Sequence, residues 1–178
     1  MAKLNEKNKI TEKIIHLMIT TLCDRKCPHC CNNQYDFNEI QHITNEELLN
    51  AEILFLTGGE PFQYSNPNAI ARYYKIKYPN IKKLIVYTNA FELAYYLNNG
   101  GNLEYIDGVN ISLKNSTDKF VFESVINNHN QVKKLTDNRI YAFPGTEDVI
   151  FDKEHYEKYN REWQVEFIPA SDSIFRKL

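Results

Sequence analysis

The sequence predicts an α/β fold built on a parallel sheet, and two observations carry that expectation. Short apolar runs bounded by turn signals recur roughly thirty residues apart, the length of a strand, a helix and their connections. The segments between them carry helix caps and apolar stripes. No proline-rich linker or low-complexity stretch interrupts the 178 residues, so the chain reads as a single domain, 1–178.

Strands are expected at Ile14–Thr20, Ile53–Thr57, Leu84–Asn89, Asp107–Lys114, Arg139–Phe143 and Gln164–Ile168. Thr44-Asn45-Glu46-Glu47 has the form of a capping box and opens a helix over Glu46–Ala51. Asn66-Pro67 starts a second helix, which runs to Tyr78 and is stopped by Pro79. A third covers Phe91–Leu97 and ends at Asn98-Asn99-Gly100. The fourth, Asp118–Leu135, carries Phe120, Val121, Val125, Val132 and Leu135 as an apolar stripe. Tyrosine pairs such as Tyr73-Tyr74 and Tyr95-Tyr96 fall on these helices, where rings serve packing. Six such units are too few for a closed eight-stranded barrel of about 250 residues. An open partial barrel or a doubly wound sheet remains, and either places its site at the C-terminal ends of the strands.

Composition narrows the function. At 43% hydrophobic residues the chain is not a disordered one. A net charge of −2 argues against general nucleic-acid binding or a membrane-surface role. No run of 18 apolar residues occurs, and the polar start Met1–Lys13 is unlike a signal peptide, so a cytoplasmic protein is expected.

The cysteines are uneven. Cys23, Cys27 and Cys30 stand as C-x3-C-x2-C just after the first predicted strand, Cys31 follows directly, and the rest of the chain has none. Disulfides close loops across a chain, so this cluster is not a set of staples. Thiolates this close surround one metal centre. Three ligands are one short of a closed zinc site or an ordinary iron–sulfur cluster. A [4Fe–4S] cluster would leave one iron open to a small molecule; zinc would draw its fourth ligand from His29, Cys31 or His42. Spacing alone leaves both open.

The second predicted strand runs into Thr57-Gly58-Gly59-Glu60-Pro61. Paired glycines at a strand end let the backbone approach a ligand or another chain segment, and Glu60 adds a carboxylate at the mouth. In Val109-Asn110-Ile111-Ser112-Leu113-Lys114 the alternation puts Asn110, Ser112 and Lys114 on one face, directed inward if the apolar face lies under helices. The third strand ends at Tyr87-Thr88-Asn89-Ala90, where Asn89 suits a site floor or a helix cap.

Cys23-x3-Cys27-x2-Cys30 followed one unit later by Gly58-Gly59-Glu60-Pro61 resembles the radical S-adenosylmethionine (SAM) superfamily, and the six-unit count resembles its partial (β/α)6 TIM-like open barrel. The resemblance implies a [4Fe–4S] cluster held by Cys23, Cys27 and Cys30, with SAM on the fourth iron. It implies that Thr57, Gly58, Gly59 and Glu60 meet the SAM amino group, that Ser112 meets the ribose and Lys114 the carboxylate, with Asn89 at the floor. His29 stands where the family usually has a large aromatic beside the adenine; Phe167 or Ile168 is the candidate on the last strand. Cys27-Pro28-His29-Cys30-Cys31-Asn32 resembles the Cys-Pro-Gly-Cys-Tyr-Asn of activating enzymes for anaerobic ribonucleotide reductase. That implies a protein substrate activated through a glycyl radical, and an external electron donor of flavodoxin or ferredoxin type. Modification of a peptide, nucleotide or small molecule is the alternative within the class, and a non-catalytic zinc-binding module the alternative outside it.

Other features have plainer readings. Cys31 reads as a small buried hydrophobe or a substrate-facing thiol. His16, His42, His129 and His155 read as structural or surface residues, and Lys75–Lys83 as a solvated basic face. Ser171–Leu178 reads as a lid or a tail.

Overall fold

A computed structural model describes residues 13–23, 25–164 and 172–178, without the side chain of Cys31. Its strands are β1 (Ile14–Thr20), β2 (Ile53–Gly58), β3 (Lys83–Asn89), β4 (Gly108–Leu113), β5 (Arg139–Ala142), β6 (Glu157–Asn160) and β7 (Ile174–Lys177). They form one open sheet in the order β6-β5-β4-β3-β2-β1-β7, every pair parallel. The first five agree with the expected strands to within a residue at each end. The remainder differs. Glu157–Asn160 pairs with β5 although its polar sequence carries no strand signal, because an edge position needs little apolar surface. Of the expected strand Gln164–Ile168, Gln164 is irregular, and 165–168, with Phe167 and Ile168, lie outside the described residues. Of Ser171–Leu178, read as a lid or a tail, Ser171 lies outside the described residues, and Ile174–Lys177 adds a strand beside β1, held by the ladder and by Arg176, whose guanidinium Nη2 lies 2.7 Å from Glu47.

The capping box forms as expected: Thr44 and Glu47 exchange bonds at the start of α1 (Asn45–Asn50). Glu60 caps a single turn, α2 (Pro61–Tyr64), that the sequence reading did not anticipate. Asn66 caps α3 (Pro67–Lys77), and Asn89 caps α4 (Ala90–Asn98). The expected fourth helix divides into α5 (Ser116–Val121), a π turn (Phe122–Ile126) and α6 (Asn130–Lys133), the last capped by the His129 ring.

Alternation gives the sheet two different faces. Ile15, Leu17, Leu54, Leu56, Leu84, Val86, Val109, Ile111 and Ile140 are fully buried and pack with Phe62, Leu93, Phe122 and other helix residues into one core. The opposite face carries His16, Phe55, Tyr87 and Tyr141, and borders a cavity.

Candidate functional site

The cavity, of about 710 Å³, opens at the C-terminal ends of the strands. Cys23, Cys27, His29 and Cys30 line it from the loop after β1. Thr57, Gly58, Gly59 and Glu60 line it from the end of β2. Asn89, Ser112 and Lys114 complete the set from the ends of β3 and β4. Every residue nominated from the motifs, spread over 91 positions from Cys23 to Lys114, thus reaches one space.

The two motif loops are built onto one another. A bulge near the end of β1 brings Thr20 beside Gly58. The Gly59 N–H donates to the Thr20 carbonyl at 2.8 Å and the Glu60 N–H to the Leu22 carbonyl at 2.9 Å. A Cβ on Gly58 would lie 2.0 Å from the Thr20 oxygen, and one on Gly59 would lie 1.9 Å from the Leu22 oxygen. Gly58 also has φ +137°, a conformation few side chains tolerate. The glycine pair is therefore required by the contact between the loops, whatever else it serves.

Glu60 is turned into the protein. Its residue is only 3% exposed. The carboxylate accepts from the Thr88 hydroxyl, the Asn89 N–H (3.0 Å), the Asn89 amide (2.7 Å) and the Phe62 N–H (3.3 Å). Burial pushes its pKa from 4.5 up to about 7; these donors lower it and Glu92 raises it further. The carboxylate at the cavity wall thereby also ties β2 to β3.

Asn89 is similarly committed. Its side-chain oxygen caps α4 through the Glu92 N–H (2.9 Å) and accepts from Arg25 (3.2 Å), while its amide donates to Glu60. Lys114, by contrast, makes no side-chain ion pair among the described residues, although its N–H donates to Asp118 at 3.1 Å. Ser112 pairs in register with Asn89 on one side and Tyr141 on the other. His29 has φ +54°, the left-handed conformation that glycine adopts without strain.

Several residues of the site went unnoticed in the sequence. Arg25 lies inside the cysteine motif and binds Asp118, which has no sequence signal beyond a helix start. His16, Tyr87, Tyr141, Arg161, Trp163 and Phe175 also line the cavity. Strand alternation carried a signal for Tyr87 and Tyr141, which share the inward face with Asn89 and Phe143.

No protein-family model matches this chain, and no curated protein or solved structure matches it either.

Around tetrahedral zinc, with Zn–S near 2.3 Å, sulfurs stand about 3.8 Å apart. Among the described residues, the group with all ligand atoms within 4.8 Å of one another is Asp152, Glu154 and His155, not the cysteines. Asp152 is already engaged by Lys133 at 3.0 Å and by the His155 ring at 3.0 Å. Cys23, Cys27 and Cys30 bring three soft thiol donors to the cavity, a donor set that suits zinc or an iron–sulfur centre.

Proposed function

We propose that this chain is a radical SAM enzyme whose Cys23, Cys27 and Cys30 hold a [4Fe–4S] cluster. The observation that carries the reading is the meeting of the cysteine loop, Gly58-Gly59-Glu60, Ser112 and Lys114 on one cavity at the strand ends. With an external electron donor of flavodoxin or ferredoxin type, Cys23, Cys27 and Cys30 would hold a cluster whose chemistry, when bound, would be one-electron cleavage of the SAM C–S bond, giving methionine and the hydrogen-abstracting fragment. The protein's own residues bind and orient. Lys114, with no ion pair among the described residues, offers its ammonium to the SAM carboxylate. Ser112 offers a hydroxyl to the ribose, and the backbone at Thr57, Gly58 and Gly59 offers carbonyls to the amino group. His29 lies on the loop as an adenine contact. Glu60 and Asn89 act through the frame, fixing the β2 and β3 loops against the cysteine loop.

The open parallel sheet is the frame of a partial (β/α)6 barrel with one further strand, in a single domain over 1–178, working in a reducing cytoplasm. No helix among the described residues is long and apolar enough to cross a membrane. Activation of a partner protein through a glycyl radical stays within this reading as one substrate choice.

Anaerobic reconstitution with iron and sulfide tests it. The expected result is about four irons per chain, loss of most of them in Cys27→Ala, and release of 5′-deoxyadenosine on reduction with SAM. One tightly held zinc with no SAM cleavage overturns it in favour of a non-catalytic zinc module.

A further inference from the structure

Barrel interiors are ordinarily filled by branched aliphatic side chains. Here the cavity-bordering face of the sheet is laid with rings instead, one from each of several strands. His16 of β1 stacks on Phe55 of β2, with centroids 4.6 Å apart and planes 17° from parallel. Tyr87 of β3 lies 5.6 Å from Phe55 and 5.8 Å from His16. Tyr141 of β5 lies 6.1 Å from Tyr87 at 8°, and Tyr159 of β6 lies 5.7 Å from Tyr141. On the other side, Phe175 of β7 packs at 5.6 Å from Tyr35. The aliphatic residues are reserved for the face beneath the helices.

Arg139, ion-paired with Asp137 at 2.8 Å, borders the Tyr87, Tyr141 and Tyr159 rings. Burial lowers the His16 pKa against the pull of Asp172, and burial with the adjacent Tyr141 phenol raises that of Tyr87. A further cation stands over this aromatic floor: the Arg161 guanidinium is 4.9 Å from the Tyr141 centroid and has no ion pair among the described residues. Glu162 and Lys114 also line the cavity. A guanidinium lying on a ring presents its N–H edge to an anion while the ring stacks a flat ligand.

We infer that the floor of the cavity binds a planar aromatic carboxylate as the substrate, its ring stacked along the His16–Tyr87–Tyr141 rings and its carboxylate on Arg161. This rests on the enzyme reading above, in which the cysteine loop and the ends of β2 and β4 take the cofactors and leave the floor free.

Calorimetric titration of the full chain, with and without reconstitution, tests the inference, using 2-naphthoate, its neutral isostere 2-naphthalenemethanol, and cyclohexanecarboxylate. Trp163, the single tryptophan and a cavity residue, gives a second readout by fluorescence quenching. Naphthoate is expected to bind, the other two about tenfold more weakly. Arg161→Gln should weaken naphthoate to the level of the neutral compound, and Tyr141→Leu should weaken it about tenfold. S-adenosylhomocysteine should bind alongside naphthoate. Equal binding of the three probes, unaltered affinity in Arg161→Gln, or displacement by S-adenosylhomocysteine overturns the proposal. Probe binding by the unreconstituted chain does not depend on iron, so it can fail while cluster assembly and SAM cleavage succeed, and the reverse.

Discussion

Arg25 and Asp118, 93 positions apart, meet in an ion pair at 2.7 Å that joins the cysteine loop to the start of α5. Asp118 is fully buried, and the Arg25 side chain is 19% exposed. The guanidinium also reaches Asn89, so one residue inside the cysteine motif is bound to the end of β3 and to the start of α5. A loop carrying three cysteines has little apolar surface of its own, and this pair anchors it to the sheet end.

Removing Arg25 strands a buried carboxylate. Arg25→Leu is expected to lower stability by roughly 3 kcal/mol, read from urea unfolding of the metal-free chain, because breaking a buried pair leaves one charge uncompensated. The double variant Arg25→Leu with Asp118→Leu should recover much of that loss. A single variant within 0.5 kcal/mol of the wild type would show that the pair anchors nothing.

The glycine pair gives a steric prediction. Gly59→Ala puts a methyl group 1.9 Å from the Leu22 carbonyl oxygen, a backbone atom that cannot swing away. Loss of soluble folded protein, or a fall of several kcal/mol, is expected. Gly100→Ala is the control: its Cβ meets nothing within 4 Å, and the cost is only that of its φ of +83°, about 1 kcal/mol.

Glu60 makes stability depend on pH. Its pKa, raised to about 7 by burial, means that the folded chain keeps a proton which the unfolded chain has released above about 4.5. Stability contributed by this group is complete below pH 4.5 and is lost as pH rises to 7, by up to about 3 kcal/mol. Glu60→Gln should flatten that part of the profile in urea titrations run at several pH values; a slope equal to that of the wild type would assign the dependence to another group.

His29 occupies a conformation made for glycine. His29→Gly should stabilise the metal-free chain by up to about 1 kcal/mol, since the left-handed penalty disappears. Thermal unfolding checks this, and a clear loss would mean that the imidazole makes contacts worth more than its strain.

The order of elements was legible because apolar periodicity and helix caps are local. Five strands, the capping box at Thr44, and the caps at Asn66 and at the end of α4 each depend on residues within a few positions. The cysteine and glycine motifs were legible for the same reason. What could not be read was where a side chain points after the backbone closes. Glu60 and Asn89 look like ligands in a linear sequence, yet each spends its polar atoms on the other and on its neighbours. Edge strands β6 and β7 carry too little apolar surface to announce themselves, and appear only because β5 and β1 offer unpaired backbone.

The chain by itself therefore determined a parallel α/β order and three thiols ahead of a glycine pair. Only the tertiary structure decided that Gly58 and Gly59 are needed to seat one loop on the other, that Arg25 ties the thiols to Asp118, and that rings from separate strands form one floor. Such relations join residues tens of positions apart. Local propensity cannot encode them, because they arise from the packing of one strand end against the next.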